Sequence, residues 1–214
     1  MSKKDLLVIE MNNKEDMECF NFREKLKLAQ KPYDYFKEIK NLNFDQLASS
    51  DRIFLQDFGI YNNELNELDL LDCKDLKGLD LKNAKKLTDL DLSFNRKLSS
   101  LTLDSTSIIS LNLSLMRSLK YLNLKNGKLK RLDVSLCDSL SEINVPNNSL
   151  NLIDLTGCKN VRAIFCEHNS LTFLDVKFCD SLFYLNCSYN PLFKLDVTIY
   201  INWEIIKEIC IDKR

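Results

Sequence analysis

From Leu65 to Val197 the apolar positions of the chain repeat one phrase thirteen times, restarting at every tenth or eleventh position. The phrase is an apolar residue, two variable residues, then apolar-x-apolar. It starts as Leu65-Asn66-Glu67-Leu68-Asp69-Leu70, passes through Leu129-Lys130-Arg131-Leu132-Asp133-Val134 and ends as Leu192-Phe193-Lys194-Leu195-Asp196-Val197. In apolar-x-apolar the two outer side chains share a face and the middle one points away, the period of an extended strand rather than of a helix. After the first three steps, longer and shorter intervals alternate, so the true unit is one of each and has two unlike halves. Each unit predicts one turn of a coil with two short strands, and stacked turns predict two parallel sheets around an apolar interior. A single turn cannot bury its own leucines, whereas neighbours can cover one another. Stability then comes from rung-on-rung interfaces, at about 1.5 to 3 kcal/mol per fully buried Leu.

A second rule governs the residue five past the first strand apolar position. In one half it reads Cys73, Asn95, Met116, Cys137, Cys158, Cys179 and Tyr200, and in the other Ala84, Thr106, Gly127, Asn148, Asn169 and Asn190. The chain must leave the strand here and turn inward, where an Asn can bond the main-chain groups that the turn frees. The middle residues of one set of strands form a nearly uniform column, Asp69, Asp91, Asn112, Asp133, Asp154, Asp175 and Asp196. Aspartate is poorly suited to a strand. The Ser and Thr hydroxyls two residues on (Ser93, Ser135, Thr156, Thr198) are the expected donors to these carboxylates.

These motifs resemble the leucine-rich repeat. Leu182-Phe183-Tyr184-Leu185-Asn186-Cys187-Ser188-Tyr189-Asn190, alternating with Leu171-Thr172-Phe173-Leu174-Asp175-Val176-Lys177-Phe178-Cys179, is similar to the 21-residue nested bacterial type, including internalin-like proteins with a cysteine ladder. The resemblance implies a right-handed leucine-rich-repeat solenoid, β-rich with two short parallel sheets per coil, whose sheet containing Cys166 and Cys187 is the concave one. Residues 1–64 are read as a mostly helical N-terminal cap, 65–200 as the solenoid, and 201–214 as a C-terminal capping helix. Within the first, Asn13 caps a helix to about Gln30, Pro32 starts another, and Ser50 caps a third that Gly59 ends; Leu6 to Met11 has a strand as its alternative reading. Asn202 precedes the amphipathic run Trp203 to Ile209.

Composition narrows the function. Thirty basic residues against 31 acidic give a net charge of -1, and neither strand column carries a basic stripe, so nucleic acid is not an expected partner. The apolar stretch Leu6 to Ile9 is too short for a signal-peptide core, and no run of apolar residues is long enough for a membrane span. The expectation is a monomeric cytoplasmic protein, or one delivered to a host cell without a cleaved signal peptide. Of eight cysteines, six fall on the repeat lattice, which reads as reduced, buried small side chains rather than a zinc site or disulfides. No cofactor and no metal is expected. The strand period turns the Cys166 thiol inward while His168 lies in the adjoining turn, so the two form no nucleophile pair, and Asp57-Phe58-Gly59 lacks the phosphate loop that would give it meaning.

What remains is recognition of a protein partner. The outward positions of the second set of strands vary, with Tyr121, Glu142, Ala163 and Tyr184 in one column and Asn123, Asn144, Phe165 and Asn186 in the next. Phe165, where its neighbours are Asn, is the anomaly. The candidate partner-binding set is Tyr121, Glu142, Asn144, Phe165, Glu167, His168, Tyr184 and Asn186, an aromatic patch with acidic neighbours. The function expected is a non-enzymatic protein-interaction module, in the setting of a secreted effector or of a toxin-neutralising, immunity-type binding protein.

Overall fold

The computed structural model describes residues 65–71 and 73–196, together with the backbone of four flanking strands. In chain order the strands are β1 (Leu7–Val8), β2 (Asn41–Asn43), β3 (Asp57–Tyr61), β4 (Glu67–Asp69), β5 (Gly78–Lys82), β6 (Ser100–Asp104), β7 (Ser110–Asn112) and β8 (Tyr121–Asn123). They continue as β9 (Arg131–Asp133), β10 (Glu142–Asn144), β11 (Leu152–Asp154), β12 (Ala163–Phe165), β13 (Phe173–Asp175), β14 (Tyr184–Asn186), β15 (Lys194–Asp196) and β16 (Glu208–Cys210). One half of each turn feeds a continuous nine-stranded sheet, β1-β3-β5-β6-β8-β10-β12-β14-β16. The other half is broken into the ladders β11-β9-β7, β13-β15 and β2-β4. All pairing is parallel and in repeat register, as in Leu122↔Ile143, Ile143↔Ile164 and Ile164↔Leu185.

The phrase produces this arrangement residue by residue. Its three apolar slots line one core that runs the length of the coil, with Leu65, Leu87, Leu98, Leu129, Leu140, Leu150 and Leu171 closing the turns and the strand pairs filling the two walls. The residue two past each pair must reverse the chain, and in the nine-stranded half it does so in the left-handed region: Asn83 (φ 58), Ser105 (φ 59), Asn126 (φ 57), Asn147 (φ 54), His168 (φ 55) and Tyr189 (φ 55). The other half uses Leu115 (φ 65), Leu136 (φ 59) and Gly157 (φ 80) at the matching places. Such a φ costs an ordinary side chain about 1 to 2 kcal/mol. The main-chain N–H it presents is taken up by the next rung, as in Asn147 N donating to Glu167 O at 3.1 Å and Leu136 N to Thr156 O at 2.7 Å.

The two inward columns then satisfy what the turns release. Asn169 donates through Nδ2 to the carbonyls of Val145, Cys166 and Glu167, and its Oδ1 accepts from Leu150 N at 2.9 Å. Asn148 and Asn190 repeat the pattern, with Leu129 N and Leu171 N as donors to their Oδ1 atoms. On the other side thiols do a reduced version of the same work. Cys137 Sγ donates to Leu113 O at 3.0 Å and Cys158 Sγ to Val134 O at 3.1 Å, each reaching back 24 residues as Asn148 and Asn169 do. The inward Asn column is therefore structural, as its position predicts.

Two expectations about the flanks need correction. Gly59, read as the end of a helix, lies within β3, where Phe58 pairs with Leu79 and Gly59 with Asp80. Glu208 and Ile209, read as the last turn of a helix, belong to β16, with Ile209 opposite Leu185. Both segments hold an apolar-x-apolar pattern of their own, and an exposed row of main-chain groups at a sheet edge binds such a segment as a further rung. Leu7–Val8 is a strand beside β3, the alternative reading of that stretch. The described residues contain no helix; the helices expected over 13–30 and from Pro32, and the rest of the C-terminal run, lie outside them.

Candidate functional site

The Asp column looks most like a binding strip, yet its carboxylates are spent locally. Five of them bend back onto their own chain: Oδ1 of Asp69, Asp91, Asp133, Asp154 and Asp175 accepts from the main-chain N–H two residues on, at 2.8 to 3.0 Å. Asn112 does the same toward Ser114. The donor common to all of them is the backbone N–H, which is why Leu71 and Lys177 serve as well as Ser93; the hydroxyl expected from sequence joins it at Asp91. At Asp91 the Ser93 N–H, aided by the Ser93 hydroxyl, holds the carboxyl below its ordinary pKa. These aspartates start the turn that ends each strand. A groove of about 660 Å³ beside β4 holds Glu67, Asp69, Asp89 and Asp91, and two of those carboxylates are spent in this way.

The outward face of the nine-stranded sheet is different. Register sets Tyr121, Glu142, Ala163 and Tyr184 in one row across β8, β10, β12 and β14, and Asn123, Asn144, Phe165 and Asn186 in the next. Phe165 and Tyr184 lie diagonally and pack with ring centroids 4.8 Å apart at 35°. Tyr121 is 56% exposed and Glu142 is exposed beside it, while Asn144, Ala163, Phe165, Tyr184 and Asn186 are half-buried. Asn186 is partly committed, since its Oδ1 accepts from the Ser188 hydroxyl at 2.7 Å. Asn123 Oδ1 is enclosed on this face and has no hydrogen-bond partner among the described residues.

Six of the eight candidate residues are thus brought onto one face over four strands. Glu167 sits just past the end of β12, with Oε2 enclosed and unpartnered among the described residues. His168 lies in the turn beyond, and its ring stacks on Tyr189 at 4.1 Å and 5° rather than joining Phe165. Tyr189, 61% exposed, escapes the sequence reading; the signal for it is its place one full unit after His168 in the left-handed column.

The buried groups do not provide nucleophiles. Burial pushes the Cys137 thiol up to about 11 and the Cys158 thiol up to about 12, and it holds Cys166 and Cys179 above the ordinary range as well. Cys166 faces the core while His168 is exposed, so the two do not meet. No group of three or more His, Cys, Asp or Glu able to hold a metal gathers among the described residues. Nor is any helix there long and apolar enough to cross a membrane.

No protein-family profile matches the chain, and no curated protein does. Among solved structures it is similar to the functional domain of InlJ from Listeria monocytogenes, which includes a cysteine ladder, at 25% identity and a TM-score of 0.64. The match covers 81% of this chain and 38% of that one. The stacked thiols have their counterpart in that ladder, and the chain has an internalin-like leucine-rich-repeat fold, a solenoid of about 6 turns with about 21 residues to the turn.

Proposed function

We propose that the chain works as a bacterial protein-interaction module whose docking surface is the outward face of the nine-stranded sheet around Phe165 and Tyr184. The observation that carries this reading is the contrast between the two sheets. On one, the repeated polar residues are consumed by their own turns. On the other, an aromatic pair is set among amides and one carboxylate on a rigid parallel sheet. Rigid aromatic side chains offer a partner large contact area with little entropy left to lose. The mode of action is display rather than chemistry, by a monomer in a reducing compartment that keeps the buried thiols free, with no nucleic acid or cofactor involved.

The internalin-like fold supports an interaction role; a host-directed effector and an immunity-type neutraliser are both settings for it. The test is capture of partners on immobilised wild-type protein and on a Phe165→Ala/Tyr184→Ala variant with an unchanged melting temperature. Loss of a partner captured by the wild type, and its retention by a control variant on the opposite sheet (Leu152→Ala), is the expected result. A partner bound equally by the aromatic variant would overturn the reading.

A further inference from the structure

Resting on that reading, we infer that the face carries a receptor for a single arginine side chain of the partner, at the notch over Ala163. The row of outward residues runs Tyr121, Glu142, Ala163, Tyr184 on adjacent strands, so between a carboxylate and a phenol it drops to a methyl group. Phe165, packed on Tyr184 at 4.8 Å, borders the notch on the next row, and Asn144 stands opposite Phe165. Strands lie about 4.8 Å apart, so a flat group entering over Ala163 would have Glu142 one strand away on one side, Tyr184 one strand away on the other and Phe165 two residues along the same strand.

Charge decides the occupant. The eight outward positions of β8, β10, β12 and β14 carry one formal charge, Glu142. Tyr121 and Ala163 are its register partners, and no ion pair or hydrogen bond reaches its carboxylate among the described residues. A partner that docks here desolvates that carboxylate, and a buried charge left unpaired opposes docking strongly. The partner must therefore bring a cation to this point. A guanidinium meets all the walls at once: it is flat, stacks on aromatic faces and bonds a carboxylate through two N–H groups. An ammonium can answer the charge but not the shape.

The direct probe is N-acetyl-arginine amide, titrated into the isotope-labelled full chain and followed by amide chemical shifts, beside N-acetyl-lysine amide and the neutral isostere N-acetyl-citrulline amide. Arginine should perturb residues around Glu142, Ala163, Phe165 and Tyr184, lysine about fivefold less, and citrulline hardly at all. Glu142→Gln, a surface change, and Ala163→Leu, which fills the notch, should each lower the arginine response by about fivefold or more. A citrulline response equal to that of arginine, or an arginine response that survives Glu142→Gln, overturns the proposal even if Ala163→Leu fails to fold. Partner capture that depends on Phe165 and Tyr184 but not on Glu142 would leave the docking face standing and remove the arginine site; capture independent of all three residues would remove the face.

Discussion

Asn95 and Asn169 are the same residue in two unlike columns, and the difference between them shows what each column asks for. Asn169 uses both ends of its amide, giving Nδ2 to three carbonyls and taking Leu150 N at Oδ1. Asn95 stands where Cys73, Cys137 and Cys158 stand, gives Nδ2 to Leu70 O and Cys73 O, and leaves its buried Oδ1 without a partner among the described residues. The thiol column wants a donor only. Asn169→Cys should therefore lower stability by about 2 to 4 kcal/mol, since several buried groups lose their partners at once. Asn95→Cys should change it by less than about 1 kcal/mol, one donor bond being lost while an orphaned acceptor is removed. Urea unfolding of the two variants reads the difference; equal losses would mean that the columns are not chemically distinct.

At the scale of the element, the turn after each strand depends on a left-handed residue, and Gly157 shows how tightly those turns are stacked. A Cβ at Gly157 would meet Leu136 Cδ2 at 2.8 Å, in a backbone at φ +80 that already disfavours it. Gly157→Ala should cost about 1 to 3 kcal/mol by adding strain to a close contact. Thermal melting checks this, and an unchanged midpoint would show that Leu136 moves aside freely. The strands of the regular array were legible because their period is rigid over many copies. Of those at the flanks only β1 was, as the alternative reading of Leu6 to Met11; the others were not, although Ile39 to Phe44, Leu55 to Ile60 and Ile206 to Ile211 each repeat apolar-x-x-apolar-x-apolar. Leu42 and Ile209 stand further from the next strand position, Phe58 and Leu195 respectively, than any regular step allows, so the rhythm hides them. Phe58 does keep step with Leu68, but an aromatic fills its slot and Gly59 follows it, which suits a helix end as well as a strand. Short apolar runs outside a rhythm fit a helix face as readily as a strand. Within the candidate site, the rows were legible from the same period, whereas the turn that carries His168 away from Phe165 was not, because nothing in sequence marks His as left-handed.

For the whole molecule, the buried thiols set an upper pH limit on the fold. Cys137 and Cys158 are raised from about 9.0 to about 11 and about 12, chiefly because burial disfavours the thiolate. Below pH 9 both folded and unfolded chains keep these protons and the thiols add no slope. Above it the unfolded chain loses them first, so stability falls as pH rises from about 9 through the folded values. A Cys137→Ala/Cys158→Ala variant, although less stable at pH 7, should lose stability less steeply between pH 9 and 11 than the wild type, with urea unfolding as the measurement; parallel slopes would show that the thiols do not control it. The polar contacts that hold successive turns together have a further consequence, because those of Cys137, Asn148, Cys158, Asn169 and Asn190 keep to fixed reaches: 19 residues from Asn Oδ1 to its donor and 24 from Asn Nδ2 or Cys Sγ to the carbonyl behind. Such a chain can gain or lose length by whole units and keep every partner type in place, whereas a half-unit change would exchange the two walls and set amides where thiols belong. The protein is in this sense a text that can be edited by the line but not by the half-line, and a surface such as the Phe165 face can be rewritten on one rung without touching the grammar of the next.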